Sequence, residues 1–380
     1  MQIGMPLNAK TSTPFTPALR RLLNWLAHPH ILFWSLPYVM VVLTIGTLAQ
    51  KNLGLYTAQK IYFSEPILWL GFMPAPGMPV VLGLITLSLA TKFFLSSLWY
   101  WHKAGINLTH LGVLLLMVGG LLTFLTQREG FLLIPEQGKT SIIRDYHHRV
   151  FTVRHEDKIL WQKNFLALRA GDSFDLPENM GRITVDKTCL NCMPAMAEKP
   201  DGRRGMAEKV TLNAIAPEKE NEQNIAGAEI TITGQHTDIN GTYVLMERMA
   251  EHISFSDKDE NMSLHLGRFE TYLPFEVELN HFAREFHPGT SEPRAYRSHV
   301  TIIESGQKWP YVIEMNEPLR YKGYTLYQSS FVEDPKGVQT VLSVVENKGR
   351  LFPYIASLLI FIGLLVHVLI RLRHKSETSS

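Results

Sequence analysis

The sequence predicts a membrane α-helical protein with four transmembrane helices and an inserted extracytoplasmic β-rich domain. Two observations support this fold class. First, the apolar residues of the 380-residue chain are concentrated in four runs, each close to the ~20 residues that cross a bilayer as a helix. Second, the long segment between the third and fourth runs alternates apolar and polar residues in short stretches separated by turn residues, as antiparallel strands do.

These patterns divide the chain into five parts. In order, they are a cytoplasmic lead of residues 1–30, three transmembrane helices within 31–126, an extracytoplasmic β-rich domain of 127–350, a fourth transmembrane helix of 351–371 and a cytoplasmic tail of 372–380. The four apolar runs themselves cover residues 31–49, 79–98, 105–126 and 351–370. Inside the β-rich domain, residues 193–223 show little hydrophobic period, which predicts a mobile excursion.

Lysine and arginine residues in the short flanks predict the orientation. They precede the first run, occupy the tight turn between the second and third runs, and follow the fourth run: Lys10, Arg20, Arg21, Lys103, Arg371, Arg373 and Lys375. Because short basic flanks stay in the cytoplasm, both termini are expected there, with the large domain on the periplasmic side of the cytoplasmic (inner) membrane. The first run is longer than the apolar part of a signal peptide, so we expect a retained anchor.

One ionisable side chain, His110, lies inside the third run. Ionisable groups inside a bilayer are costly, so a functional role is the default expectation, although a neutral histidine can also join helices by a hydrogen bond. Gly105, Gly112 and Gly119 recur every seven residues and form a small-residue face suited to close helix contact. At about 100° per residue, His110 lies on the opposite side of the helix.

The chain has two cysteines, Cys189 and Cys192, in a Cys-x-x-Cys arrangement within the β-rich domain. In an oxidising compartment they form a local disulfide or an idle pair. The alternative is a redox pair that exchanges with other thiols, but no βαβ pattern surrounds it. Two cysteines alone make a poor zinc site.

Nine histidines are scattered through the β-rich domain, and none shows the close spacing of metal ligands, so no role is assigned to any of them. They are His147, His148, His155, His236, His252, His265, His281, His287 and His299. No serine–histidine–aspartate order, glycine-rich phosphate loop or paired-carboxylate motif stands out, and no catalytic residue is predicted. The formal net charge is +2 and the basic residues form no stripe, which argues against nucleic-acid binding.

Two segments of the β-rich domain resemble the best-marked segments of the ResB family, also called CcsB. They are NEPLRYKGYTLYQSSF at 316–331 and PFEVELNHFAREFHPGTSEPRAYRSHV at 274–300. The membrane part is similar as well: IGTLAQ ends the first span, the third span carries His110, and GFLLIPEQGKT follows it. These motifs are strand-and-turn patterns that specify no chemistry by themselves.

The resemblance implies a subunit of the haem-delivery system for c-type cytochromes. Such a subunit pairs with a CcsA-type membrane protein that carries the tryptophan-rich WWD segment, and with it delivers haem b, bound transiently, to apocytochrome c. This chain has no WWD segment and no Cys-x-x-Cys-His, so the bond-forming site is expected on the partner. Whether the chain is itself an enzyme stays open. A thioredoxin-like thiol reductant is a further expected partner.

The family also implies that the histidine of the span before the outer domain binds haem, and His110 matches that position. Haem iron accepts a neutral imidazole as axial ligand. His367 lies at a similar depth near the end of the fourth span, so it is the second candidate ligand. The two could share one haem, or each could pair with a histidine of the partner. Lys92, Lys103 and Arg371 are candidate partners for the haem propionates.

Two functions from other classes are kept as alternatives. One is a membrane-anchored thiol–disulfide redox protein that acts through Cys189 and Cys192; replacing both by serine would then abolish function. The other is a receptor that signals through the helices. It is disfavoured because the predicted cytoplasmic tails are too short for an output domain.

Overall fold

A computed structural model defines the fold. It describes residues 16–96, 100–155, 158–176, 181–197, 202–234, 239–248, 253–257, 260–290, 293–335 and 337–378. The chain divides into two compact units: a helical unit of Met1–Leu125 with Lys348–Ser380, and a β unit of Thr126–Asn347. His236, His252, Lys10 and the predicted lead up to residue 15 lie outside the described residues.

The helical unit contains six α-helices and one short hairpin in its described part. The helices are α1 Pro17–Leu26, α2 His30–Leu53, α3 Leu55–Ala58, α4 Met78–Thr91, α5 Ala104–Thr126 and α6 Phe352–Thr378; the hairpin strands are β1 Ile67–Leu70 and β2 Met73–Pro76. Helix α1 begins with Pro17 in its first turn and Thr16 as N-cap, because proline needs no hydrogen-bonded N–H there.

Three helices in the described part of the chain are long and apolar enough to cross a membrane: His30–Leu53, Trp101–Thr126 and Phe352–Arg373. They correspond to the first, third and fourth predicted spans and indicate a membrane protein. The second predicted span contains a shorter apolar helix, Met78–Phe94. Its regular α-helical hydrogen bonding ends at Thr91 and continues as a wider π-helical turn over Lys92–Ser96.

Polar contacts fix the N-terminal helices of this unit to one another. The Ser88 hydroxyl on α4 donates to the carbonyl oxygen of Leu26 at the end of α1, over 2.7 Å. The Tyr38 hydroxyl on α2 donates to the carbonyl of Pro76 in the hairpin. Each bond satisfies a polar group in an apolar surrounding, where leaving it unpaired would be costly.

The β unit contains sixteen strands in its described part. They are β3 Arg128–Pro135, β4 Lys139–His155, β5 Lys158–Asn164, β6 Ser173–Asp175, β7 Arg182–Cys189, β8 Cys192–Met196, β9 Val210–Ala214, β10 Gly227–Thr233, β11 Gly241–Met246, β12 Ile253–Asp257, β13 Glu260–Phe286, β14 Pro293–Glu304, β15 Gln307–Glu314, β16 Leu319–Tyr321, β17 Tyr324–Asp334 and β18 Gly337–Glu346. A ten-stranded sheet has the order β15-β14-β13-β4-β3-β18-β17-β16, with β12 and β5 added beside β13 and β4. A smaller sheet has the order β11-β10-β7-β6.

Two hydrophobic cores lie in this unit, and the long strands β4 and β13 contribute to both. Phe151 on β4 and Leu264 on β13 pack with Ile183 and Ile230 of the smaller sheet. The opposite end of β13, at Val277 and neighbouring residues, packs with β3, β14 and β18 in the second core. Alternate residues of β13 are buried from Leu273 to Leu279, which confirms the predicted period of two there. Strand β4 instead buries five consecutive residues, 149–153.

The segment 193–223 is more regular than its sequence predicts. Strands β8 and β9 pair as an antiparallel hairpin, from Cys192 opposite Ala214 to Met196 opposite Val210. One short 3-10 turn, Gly205–Glu208, lies between the two strands, and another, Asn221–Gln223, follows β9. The low hydrophobic period of this segment therefore did not reveal the hairpin that its described part forms. Its strands are short and bury few residues, so they leave no periodic signal.

Candidate functional site

Helices α5 and α6 contact each other through glycines. A Cβ atom at Gly105 would lie less than 3.0 Å from the backbone nitrogen of His367, and one at Gly112 would come equally close to Ile360. Gly119 meets the Phe352 side chain in the same way. Only glycine permits so close an approach of two helices. The packing face predicted from the seven-residue glycine repeat is therefore confirmed.

The α6 side of this contact also contains a glycine. A Cβ atom at Gly363 would lie less than 3.0 Å from the backbone nitrogen and hydroxyl of Thr109. That hydroxyl donates to the carbonyl of Gly105 over 3.0 Å, so it is satisfied within its own helix. Ala356 is fully buried on the same side of α6. The backbones of the two helices are thus in contact over several turns.

His110 lies on a different side of α5 from this contact. It follows Gly105 by five residues, which at about 100° per residue turns its side chain about 140° away from the glycine face. The side chain is half-buried. The imidazole therefore points away from the glycine contact with α6.

His367 is placed differently. Its backbone nitrogen and Cα lie against Gly105, so it belongs to the α6 face that packs on α5. Its side chain is half-buried. Because the His110 side chain leaves α5 on a side remote from this contact, the structure does not bring the two imidazoles face to face.

An apolar cavity of about 280 Å³ lies beside the first turns of α5. Phe93, Asn107 and Leu111 are among the residues that line it, together with the rings of Tyr100 and Trp101. Asn107 precedes His110 by three residues, so the cavity occupies the neighbouring face of the helix. Its rings are suited to contact a flat apolar group.

The three predicted propionate partners all lie in the described part of the chain. Lys92 and Arg371 are exposed, and Lys103 is half-buried one residue before α5 begins. Long basic side chains at helix ends commonly extend toward the headgroup region of a bilayer. Their positions are compatible with either role.

Cys189 and Cys192 are joined by a disulfide at the turn between β7 and β8. Both are buried, and they pack in a small core with Leu212 and Val244. A Cβ atom at Gly227 would lie 2.7 Å from the Cys192 sulfur, so the neighbouring strand closes directly over the bond. This arrangement fits a structural link that holds the β8–β9 hairpin, because thiol exchange requires an accessible sulfur.

Two histidines of the β unit lie together, although their spacing in the sequence gives no sign of it. His281 on β13 and His299 on β14 are directly paired across the two strands, and their rings are stacked with centroids 6.0 Å apart. Glu136, in the turn before β4, contacts His281 with 2.7 Å between Oε1 and Nδ1. Among the described residues, no group of three or more histidine, cysteine, aspartate and glutamate side chains is arranged to hold a metal ion.

The comparisons with known proteins identify one family. Residues 231–351 match the ResB-like family. Protein NrfI of Wolinella succinogenes is 35% identical to this chain over 113 residues, which is 29% of this chain and 12% of that protein. The chain thus spans only a small part of the relative's length. The region that matches the family model contains both motif segments, around residues 274–300 and 316–331, so the resemblance to the ResB-like family is confirmed for this part of the chain.

Proposed function

We propose that this protein is a membrane subunit of a cytochrome c maturation complex, which binds and exports haem and helps to attach it to apocytochrome c outside the membrane. The family match and the apolar helices support this general role. The observation that supports a specific site is the orientation of His110, away from the glycine face of α5. A histidine needed only to join α5 to α6 would lie on that face.

His110 is the proposed axial ligand. Its helix is apolar, and an ionisable side chain within a membrane span is by default expected to have a functional role. The neutral form has the lone pair that haem iron accepts. The donor chemistry therefore fits haem, and the aromatic side chains beside Asn107 provide apolar surface on the adjacent face.

The second axial ligand comes from a partner protein in this proposal. His367 is the other candidate within the chain, but its backbone is held in the contact with Gly105. A haem ligated by both His110 and His367 would have to contact two different sides of α5. A CcsA-type partner helix beside the His110 side of α5 needs no such rearrangement. Lys103, near the start of α5, is the basic side chain best placed to meet a propionate.

The proposed topology follows the basic flanks of the sequence. In this proposal the apolar helix that contains α4, with its π-helical continuation, is the second span and brings the number of spans to four, and Lys103 lies in the cytoplasmic turn that follows it. An even number of spans then puts both ends of this chain in the cytoplasm and the β unit in the periplasm, beyond the inner membrane. The buried disulfide of the β unit suits an oxidising compartment.

The β unit is proposed to bind apocytochrome c on the periplasmic side, while the thioether bonds form on the partner. Extended peptides bind to exposed strand edges by backbone hydrogen bonds, and an unfolded client can use this mode. A thioredoxin-like reductant would keep the client's thiols reduced. Haem supplies the vinyl groups for this reaction, and the residues of this chain bind and orient the haem and the client.

A reporter experiment tests the role in maturation. Cells that lack their own maturation system would express a reporter apocytochrome and a CcsA-type partner, with or without this chain, and covalent haem would be measured on the reporter. The expected result is attachment with the wild type, loss with His110→Ala, and retention with the matched control His102→Ala, whose exposed ring stacks on Tyr100. Undiminished attachment with His110→Ala would contradict the proposed ligand. Undiminished attachment without the chain would contradict the role itself.

A further inference from the structure

The pair of His281 and His299 forms a cluster that the proposed function does not use. Both side chains project from the same face of the β13–β14 pair, at positions directly opposite each other. Their rings are 6.0 Å apart between centroids and inclined by 28°. In a tetrahedral site with metal–nitrogen bonds of about 2.0–2.1 Å, two imidazole ring centres are roughly 5 Å apart. The observed centroid distance of 6.0 Å is close to that value.

Glu136 fixes one of these rings. Its Oε1 lies 2.7 Å from Nδ1 of His281 and also accepts from the backbone N–H of Phe282 over 3.2 Å. As a hydrogen-bond acceptor beside Nδ1, the Glu136 carboxylate favours the imidazole tautomer of His281 with a proton on Nδ1. The lone pair is then on Nε2.

The turn that carries Glu136 is itself held firmly against β13. Gln137 adopts a positive φ of 65°, and its N–H donates to the carbonyl of Leu279 over 2.8 Å. In return, the Leu279 N–H donates to the carbonyl of Gly138 over 2.9 Å. These two bonds place Glu136 next to His281 before any ligand arrives. Such a carboxylate–histidine arrangement is typical of metal-binding histidines.

The neighbouring charges do not oppose a cation here. The next outward residue of β14, Arg297, is ion-paired with Glu314 over 2.6 Å and lies 3.8 Å from Glu285. The other strand that flanks His299 presents Val312, which is uncharged. The His281 side chain is 65% exposed, so an ion can reach it from solvent. His299 is half-buried beside it.

From this geometry we propose that His281 and His299 bind one divalent transition-metal ion, with Glu136 as the residue that positions the His281 ring. Two imidazoles favour copper, nickel or zinc over magnesium or calcium. The chain supplies two ligands, and water or a partner side chain completes the coordination. Such a site holds its ion exchangeably.

The test uses the full chain, purified in detergent without a histidine tag, treated with a chelator and titrated with Cu²⁺. Electron paramagnetic resonance of the bound Cu²⁺ reports its nitrogen ligands, and competition with a chelator reports affinity. We expect one site with two imidazole nitrogens, lost in His281→Ala and in His299→Ala. His287→Ala is the matched control, because this exposed histidine lies in the same hairpin after β13, and it should keep the site.

The role of Glu136 has its own readout. Glu136→Gln should weaken Cu²⁺ binding about 10-fold to 100-fold, as loss of an orienting carboxylate does elsewhere, without changing the number of nitrogen ligands. Because all three side chains are at least partly exposed, these variants are expected to fold, and circular dichroism checks this. A Cu²⁺ signal that is unchanged in His281→Ala and His299→Ala, or equally lost in His287→Ala, would overturn the proposal.

Discussion

The helical unit and the β unit are held together by different kinds of contact. Helices α5 and α6 approach closely because Gly105, Gly112 and Gly363 have no side chains at the contact. The β unit instead buries charge: Arg149 and Glu247 are almost fully enclosed and hydrogen-bonded to each other. The helical unit thus keeps the imidazole of His110 outside the glycine contact, whereas the β unit satisfies this buried charge internally.

The two units also differ in how far they bury their apolar side chains. Large apolar side chains of the helices are widely exposed, as at Trp34, Leu125 and Phe361, with exposed fractions of 70%, 69% and 64%. Contiguous apolar surface of this kind is covered by lipid or by a partner. The helical unit therefore depends on its surroundings, while the β unit carries complete cores of its own.

The largest expected effect comes from breaking the buried charges of the β unit. Glu247 accepts from Arg149 over 2.6 Å and also contacts Arg268. Glu247→Gln would leave two guanidinium groups without their counter-charge, and we expect a loss of about 3–5 kcal/mol in the free energy of unfolding. Glu276→Gln is the control, because its ion pair with Lys139 is exposed and is worth about 0–1 kcal/mol. Chemical unfolding in detergent, followed by the β-sheet dichroism signal, measures the stability of both variants. Equal losses in the free energy of unfolding would show that the buried ion pairs of Glu247 contribute no more than the exposed pair of Glu276.

The contact between α5 and α6 should be destabilised by added side-chain volume. Gly112→Leu forces a side chain into the space occupied by Ile360, and we expect a destabilisation of about 1–3 kcal/mol. Gly120 lies on the same helix, and a Cβ atom there would have no neighbour within 4 Å, so Gly120→Leu should be nearly neutral. Thermal unfolding in detergent, monitored by helical dichroism, distinguishes them. If Gly120→Leu were the more damaging change, α6 would not be the packing partner of the Gly112 face.

Removal of the disulfide should have a moderate, purely structural effect. Replacing Cys189 and Cys192 by serine releases a short loop, and chain entropy predicts a loss of about 2 kcal/mol. We expect haem attachment to the reporter cytochrome to persist at permissive temperature, since the bond is buried. Abolished attachment with unchanged stability of the β unit would instead support the thiol-redox alternative.

The smallest expected effect is a pH dependence from His147. Burial lowers its pKa, although the charge of Glu222 partly raises it. Because the unfolded chain then binds the proton more readily, stability falls as pH drops through the unfolded value of about 6.5. Melting temperatures on either side of that pH should differ more for the wild type than for His147→Gln. A dependence that is identical in the variant would show that other groups cause it.

Local patterns predicted the parts of the molecule that depend on local spacing. The glycine repeat at Gly105 and Gly112 predicted the α5 packing face, and the helical period predicted that His110 lies elsewhere. The two motif segments predicted the match of residues 231–351 to the ResB-like family. By contrast, the cluster of Glu136, His281 and His299 depends on which strands pair, and that is decided by long-range contacts.

Two other features were hidden from the sequence for physical reasons. The hairpin made by Cys192–Met196 and Val210–Ala214 is too short and too exposed to leave a periodic signal. The charges around Glu247 come from segments far apart in the chain, and each looks like an ordinary surface residue in its own segment. In both cases the deciding contacts are made between segments, which a pattern within one segment does not record.

The role of His110 is tested best by the absorption spectrum of the detergent-purified chain, expressed with and without a CcsA-type partner. We expect a Soret band in the wild type with its partner and in His367→Ala, its loss in His110→Ala, and its return in His110→Gly when imidazole is added. A Soret band that persists in His110→Ala, or no haem in any preparation even with the partner, would contradict the assignment of His110 as the haem ligand.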